Sequence, residues 1–250
     1  MRYVTGCAVL LGMIGSTGCG QSSSARGLAT RLAPNVDAVC EKAMSCTPAQ
    51  FGNDTDLCRL HTLMLAGDLA IGAIDRESCE QSIQSLASCL LTVRCFEFAL
   101  PPSSEDGCSK EGGIVERTCV RASSTTPQAP VDPEWLPRDS FAITYCERAV
   151  LGAPDTGNSE VNERRYELCA DLVTFTRAAS AHVYGQACGA AYLDLVECRT
   201  NTYYPTCSFP WSFDFGCSSE CPDDVTAARE ACDGFAFLAQ DSSPWRVSKE

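Results

Sequence analysis

Cys188-Gly189-Ala190-Ala191-Tyr192-Leu193-Asp194-Leu195-Val196-Glu197-Cys198 and Cys221-Pro222-Asp223-Asp224-Val225-Thr226-Ala227-Ala228-Arg229-Glu230-Ala231-Cys232 are two cysteine-bounded segments whose lengths decide the fold. On a helix turning about 100° per residue, cysteines eleven apart differ by roughly three turns plus 20°, so Cys221 and Cys232 share a face. Cysteines ten apart miss by only about 80°, so Cys188 and Cys198 point broadly one way. Pro222 suits a first helical position, Asp223 and Asp224 complement the N-terminal dipole, and Gly234 offers a stop. Packed antiparallel, two such helices are riveted at both ends if Cys188 bonds Cys232 and Cys198 bonds Cys221.

The same spacings occur earlier in the chain. Cys79 and Cys89 enclose nine residues, and Cys108 and Cys119 enclose ten. The matching expectation is Cys79 with Cys119 and Cys89 with Cys108, although Gly112-Gly113 weakens the second helix of that pair. Beyond Cys19, sixteen cysteines fall into two sets of eight, at 40, 46, 58, 79, 89, 95, 108 and 119 and at 146, 169, 188, 198, 207, 217, 221 and 232. Flanking residues agree: Val39-Cys40-Glu41-Lys42 parallels Tyr145-Cys146-Glu147-Arg148, and Asp56-Leu57-Cys58 parallels Glu167-Leu168-Cys169. Seven positions align, with Cys46 and Cys217 unmatched. These two either complete a fourth bridge inside each set or join each other across the sets. Eight cysteines allow 105 pairings, so spacing alone leaves connectivity open.

An all-α fold follows as the expectation: two disulfide-framed helical modules, from an internal duplication, joined by a Ser/Thr/Pro linker. Module one spans 36–122 and module two 139–240. Between them, residues 123–138 hold Ser123-Ser124-Thr125-Thr126-Pro127 and further prolines without apolar periodicity. Residues 241–250 read as a polar tail. The strongest helix is Asn162 to Val183, where Leu168, Leu172, Phe175, Ala179 and His182 form one amphipathic stripe. Aromatic residues are 8% of the chain, so each half has a modest core. Bridges, typically worth about 2 to 4 kcal/mol each, then matter to stability.

The first 18 residues read as a secretory signal: Arg2 is basic, Val4 to Ile14 is apolar, and the stretch is too short to span a bilayer. Gly15-Ser16-Thr17-Gly18 before Cys19 resembles a bacterial lipobox. That likeness implies that Cys19 is diacylated, becomes the mature N-terminus and anchors the chain in the membrane. Ser16 stands where such signals usually carry Leu, which leaves ordinary cleavage with an unmodified Cys19 as the alternative. Residues 19–35 read as a flexible tether, the run Ser22-Ser23-Ser24 being too polar to bury. Loss of the leader removes one base and no acid, so the charge moves from −13 to near −14. So acidic a chain is a poor partner for nucleic acid, which needs a basic patch.

The duplicated spacing, with Cys188-Gly189-Ala190-Ala191-Tyr192 and Cys89-Leu90-Leu91 and the lipobox-type leader, resembles the uncharacterised cysteine-rich lipoproteins that some environmental bacteria encode in many divergent copies. The resemblance covers both modules. It implies an envelope location, in the periplasm or on the cell surface, and supplies no activity.

Chemistry is hard to find. His61 and His182 are the only histidines, and each sits in an apolar helical pattern that suits packing. No nucleophile elbow, zincin segment, phosphate loop or dinucleotide fingerprint occurs. Cys217 and Cys221 are close enough to chelate, but an exported setting favours bridges over thiolates. Asp223-Asp224 reads as helix-dipole charge. No catalytic residue, metal or cofactor is assigned. The one unusual stretch is the 203–217 loop, where Tyr203, Tyr204, Phe209, Trp211, Phe213 and Phe215 gather among prolines. Such side chains either complete a thin core or anchor a protein or carbohydrate partner. The expected function is a non-enzymatic exported lipoprotein with a structural or binding role. The alternative is an exported hydrolase whose carboxylate site only the fold assembles.

Overall fold

A computed structural model describes residues 25–98, 107–120, 140–151, 159–202 and 221–232, and its first helix corrects the sequence reading. Helix α1 (Ala25–Cys46) begins well inside the stretch 19–35 expected to be a tether. The reason is a stripe that the neighbouring serines obscure. Leu28, Leu32, Val36 and Val39 recur at helical spacing, and all are buried. Pro34, which removes a helical donor, lies on the exposed side, where water can serve the orphaned carbonyl.

A 3₁₀ turn over Pro48–Phe51 ends at Gly52 and Asn53, whose φ values of 61° and 66° reverse the chain. Asp54 then caps α2 (Thr55–Gly72), accepting from the amides of Asp56 at 2.9 Å and Leu57 at 3.0 Å. Asp75 does the same for α3 (Arg76–Thr92), accepting from the Ser78 amide and hydroxyl. Helix α2 returns alongside α1, tied by Cys40–Cys58. Helix α3 runs parallel to α1, because Arg31 forks onto Glu80 at 2.6 and 2.7 Å near one end. Near the other end, Lys42 donates to the carbonyls of Leu91 and Val93, complementing the C-terminal dipole of α3.

Helix α4 (Ser109–Thr118) packs on α3 and keeps its helix through Gly112-Gly113. The bonds are Cys79–Cys119 and Cys89–Cys108, the pairs expected from the spacing. After α5 (Ser140–Leu151) and α6 (Ser159–Tyr184), α7 (Gln186–Thr202) and α8 (Pro222–Ala231) repeat the arrangement, with Cys188–Cys232 and Cys198–Cys221. Cys146–Cys169 joins α5 to α6 as Cys40–Cys58 joins α1 to α2. Cys46 bonds Cys95, which excludes a Cys46–Cys217 link between the sets. The described residues form eight α-helices and no strand, so the fold is all-α. The leader, Cys19, the 123–138 linker, the 203–217 loop with Cys207 and Cys217, and the 241–250 tail lie outside them.

The two cysteine sets do not build separate cores. Helix α6 packs against α1 and α2 as well as α5 and α7, and one continuous apolar cluster includes residues from both halves. Few aromatics leave each half too thin to bury much alone, so the shared core is the larger one. Its centre is Phe175 of α6, wholly buried over Gly67 of α2, where a Cβ would lie 2.2 Å from the ring. Beside it, Arg76 at the start of α3 donates to Asp171 of α6 at 3.1 Å, and Asp171 is fully buried.

Two substitutions test this junction. Gly67→Ala should destabilise by about 1 to 3 kcal/mol through overpacking, read as a lower thermal midpoint, and Phe175→Leu added to it should recover part of the loss. Asp171→Ala should cost about 1 to 3 kcal/mol by removing the acceptor of a charge-assisted bond made where solvation is poor. A denaturant titration showing either single variant within error of the wild type would remove the junction from its central place.

Candidate functional site

Two small side chains open an apolar concavity among the described residues. Ala66 on α2 and Ala87 on α3 face a gap that α1 does not fill, leaving a cavity of about 100 Å³. Leu32, Val36 and Val39 form its α1 wall, and Leu69, Ile83 and Leu90 continue it on α2 and α3. Val115 of α4 also lines it. Leu65 is 37% exposed and marks the mouth.

Polar atoms contribute little to this wall. Asn35, Thr62 and Gln84 are its polar residues, and no charged side chain lines it. Gln84 donates to Glu80 at 3.2 Å, and the Thr62 hydroxyl lies 3.7 Å from the sulfur of Cys40. Water requires two to four polar partners to settle, so the cavity favours hydrocarbon over water.

The ionisable groups form a different kind of cluster. Arg59 of α2 meets Asp56 at 3.0 Å, Asp37 at 3.3 Å and Glu41 at 3.5 Å. His182 of α6 reaches the other oxygen of Asp37 at 3.1 Å. Its side chain is 40% exposed, so His182 leaves the apolar stripe and links the two halves at the surface. These acids converge on one guanidinium, an arrangement that satisfies charge between α1 and α2.

His61 is the packed histidine of the sequence reading. It lies half-buried with its ring 6.4 Å from that of Phe51, and burial holds its pKa below the ordinary value. Cys198, Cys221 and Asp224 stand within 4.8 Å of one another, a ligand-like group whose two sulfurs are already bonded together. A bridged pair offers no thiolate to a metal. Asp223 and Asp224 occupy the first turn of α8, as their dipole role requires.

The eight cysteines singled out by spacing are thus brought together as four bridges. Cys19 and the aromatic residues Tyr203, Tyr204, Phe209, Trp211, Phe213 and Phe215 lie outside the described residues. The cavity was missed in the sequence, and its signal is partial. The apolar stripe of α1 is readable, but the meeting of Ala66 with Ala87 depends on helices brought together in three dimensions.

His61 carries a pH prediction. Its folded pKa lies below the unfolded one, so the unfolded chain takes up a proton first as pH falls. The stability held with neutral His61 is therefore present above roughly pH 6.5 and lost progressively below it. His61→Gln should flatten the stability profile between about pH 7 and pH 5; superimposable wild-type and variant profiles would count against this.

No helix among the described residues is long and apolar enough to cross a membrane. No family model matches the chain, and no curated protein or solved structure is similar to it at a significant level.

Proposed function

We propose that the chain is a non-enzymatic exported lipoprotein, anchored through Cys19, that presents a disulfide-framed helical scaffold at the bacterial cell envelope for binding. The supporting observation is the set of seven bridges among the described residues. So dense a framework suits an oxidising, extracellular location, because cytosolic thiol systems keep such cysteines reduced. The lipobox-type residues Ser16-Thr17-Gly18-Cys19 add the anchor, and the polar residues that follow provide separation from the membrane.

Parity favours the same reading. If Cys19 carries lipid, sixteen cysteines remain in the mature chain. Fourteen are bonded in the seven bridges, which leaves Cys207 and Cys217 for each other. That bond would frame the 203–217 aromatic loop as a contact surface for a protein or carbohydrate partner.

Metabolic labelling with an alkyne fatty-acid analogue tests the anchor. Wild-type chain should label and Cys19→Ala should not; two unlabelled chains would sink the lipoprotein assignment. Thiol titration of the mature protein under denaturing, non-reducing conditions should find essentially no free thiol.

A further inference from the structure

We propose that the cavity between α1, α2 and α3 is a binding site for the linear hydrocarbon chain of an uncharged amphiphile. It rests on the binding role proposed above and gives that role a ligand class.

Shape selects a chain rather than a ring. Arg31 on Glu80 and Lys42 on the carbonyls of Leu91 and Val93 hold α1 and α3 parallel and in register. Leu32 to Val39 and Ile83 to Leu90 therefore run side by side, about 10 Å each at the rise of an α-helix. A cavity of about 150 Å³ takes one benzene ring, so a volume of about 100 Å³ is too small for a ring and encloses roughly four carbons of a chain. The rest of a longer chain lies along the open side of the groove, between α1 and α3 and past Leu65. Leu65 at the mouth is already exposed, so a chain enters without the bundle opening.

Charge selects the head group. No cation lines the slot. Arg31 beside it commits its fork to Glu80, while Lys42 is held by two carbonyls and lies 5.8 Å from the centre of the Phe98 ring. A carboxylate drawn into the mouth would find no free counter-charge on a chain whose net charge is −13. An alcohol or ester head remains in water at no such cost.

Isothermal titration of the oxidised full chain with 1-octanol tests the assignment, with octanoate as the charged comparison. Octanol should bind saturably at one site, and octanoate about tenfold more weakly or worse. Ala87→Leu places a branched side chain in the slot and should weaken octanol about tenfold or more, with helix content and bridges unchanged. If that variant fails to fold, Ala66→Val fills the same space from α2. Val120→Ser, at an exposed position away from the slot, should bind as wild type does. The proposal is overturned if octanol gives no saturable heat, if a folded slot-filling variant binds normally, or if octanoate binds as tightly as octanol. A self-associated dimer covering the slot and unaffected by octanol also overturns it. Octanol binding by a chain that carries no lipid at Cys19 would uphold the slot while removing the envelope role, so the two readings fail separately.

Discussion

Phe175 can occupy the centre of this protein only because position 67 has no side chain. The Gly67 backbone on α2 and the ring on α6 meet where any Cβ would collide, so the two halves approach as closely as backbone allows. That closeness makes one core from two thin ones. It also brings Asp171 within reach of Arg76, placing a charged pair where solvation is poor. Such a pair adds little net stability compared with apolar packing, yet misplacing either member breaks a charge-assisted bond where solvation is poor. Shape and charge at this junction therefore specify the same docking of α6 on α2 and α3.

The bridges act at a different level. Each of the helix pairs α1/α2, α3/α4, α5/α6 and α7/α8 is covalently closed, so the unfolded chain is already restricted within each pair. Nothing covalent among the described residues joins the two halves. Their union depends on side chains: Phe175 on Gly67, Arg76 with Asp171, and His182 with Asp37 at the surface. Covalent bonds make the hairpins, and packing chooses how they combine.

That division explains what the sequence makes legible. Cysteine spacing is a local, one-helix quantity, so it reveals the α3/α4 and α7/α8 hairpins and their bonds. The apolar stripe Leu168, Leu172, Phe175 and Ala179 is local too, and it locates α6 to within three residues at its start and one at its end. The start of α1 is masked in the sequence because the polar run Ser22-Ser23-Ser24 directly precedes the stripe that Leu28 and Leu32 begin. The shared core and the slot were illegible for another reason. Gly67 and Ala87 are unremarkable residues until a second helix faces them.

The same covalent framing bears on why a slot persists at all. A void left by small residues normally shrinks as neighbouring helices slide together, and its cost falls with that relaxation. Here the freedom to slide is limited. Cys40–Cys58 fixes α2 on α1, Cys79–Cys119 and Cys89–Cys108 fix both ends of α3 against α4, and Cys46–Cys95 ties the end of α1 to the turn following α3. The Arg31–Glu80 fork adds a fifth restraint at the opposite end of α1 and α3. Closing the gap between Ala66 and Ala87 would strain several of these ties together, so the walls hold their spacing and the lining forgoes its contacts. A frame that resists collapse keeps its apolar surface available, and the contacts missing from the empty slot are those that an inserted chain would supply.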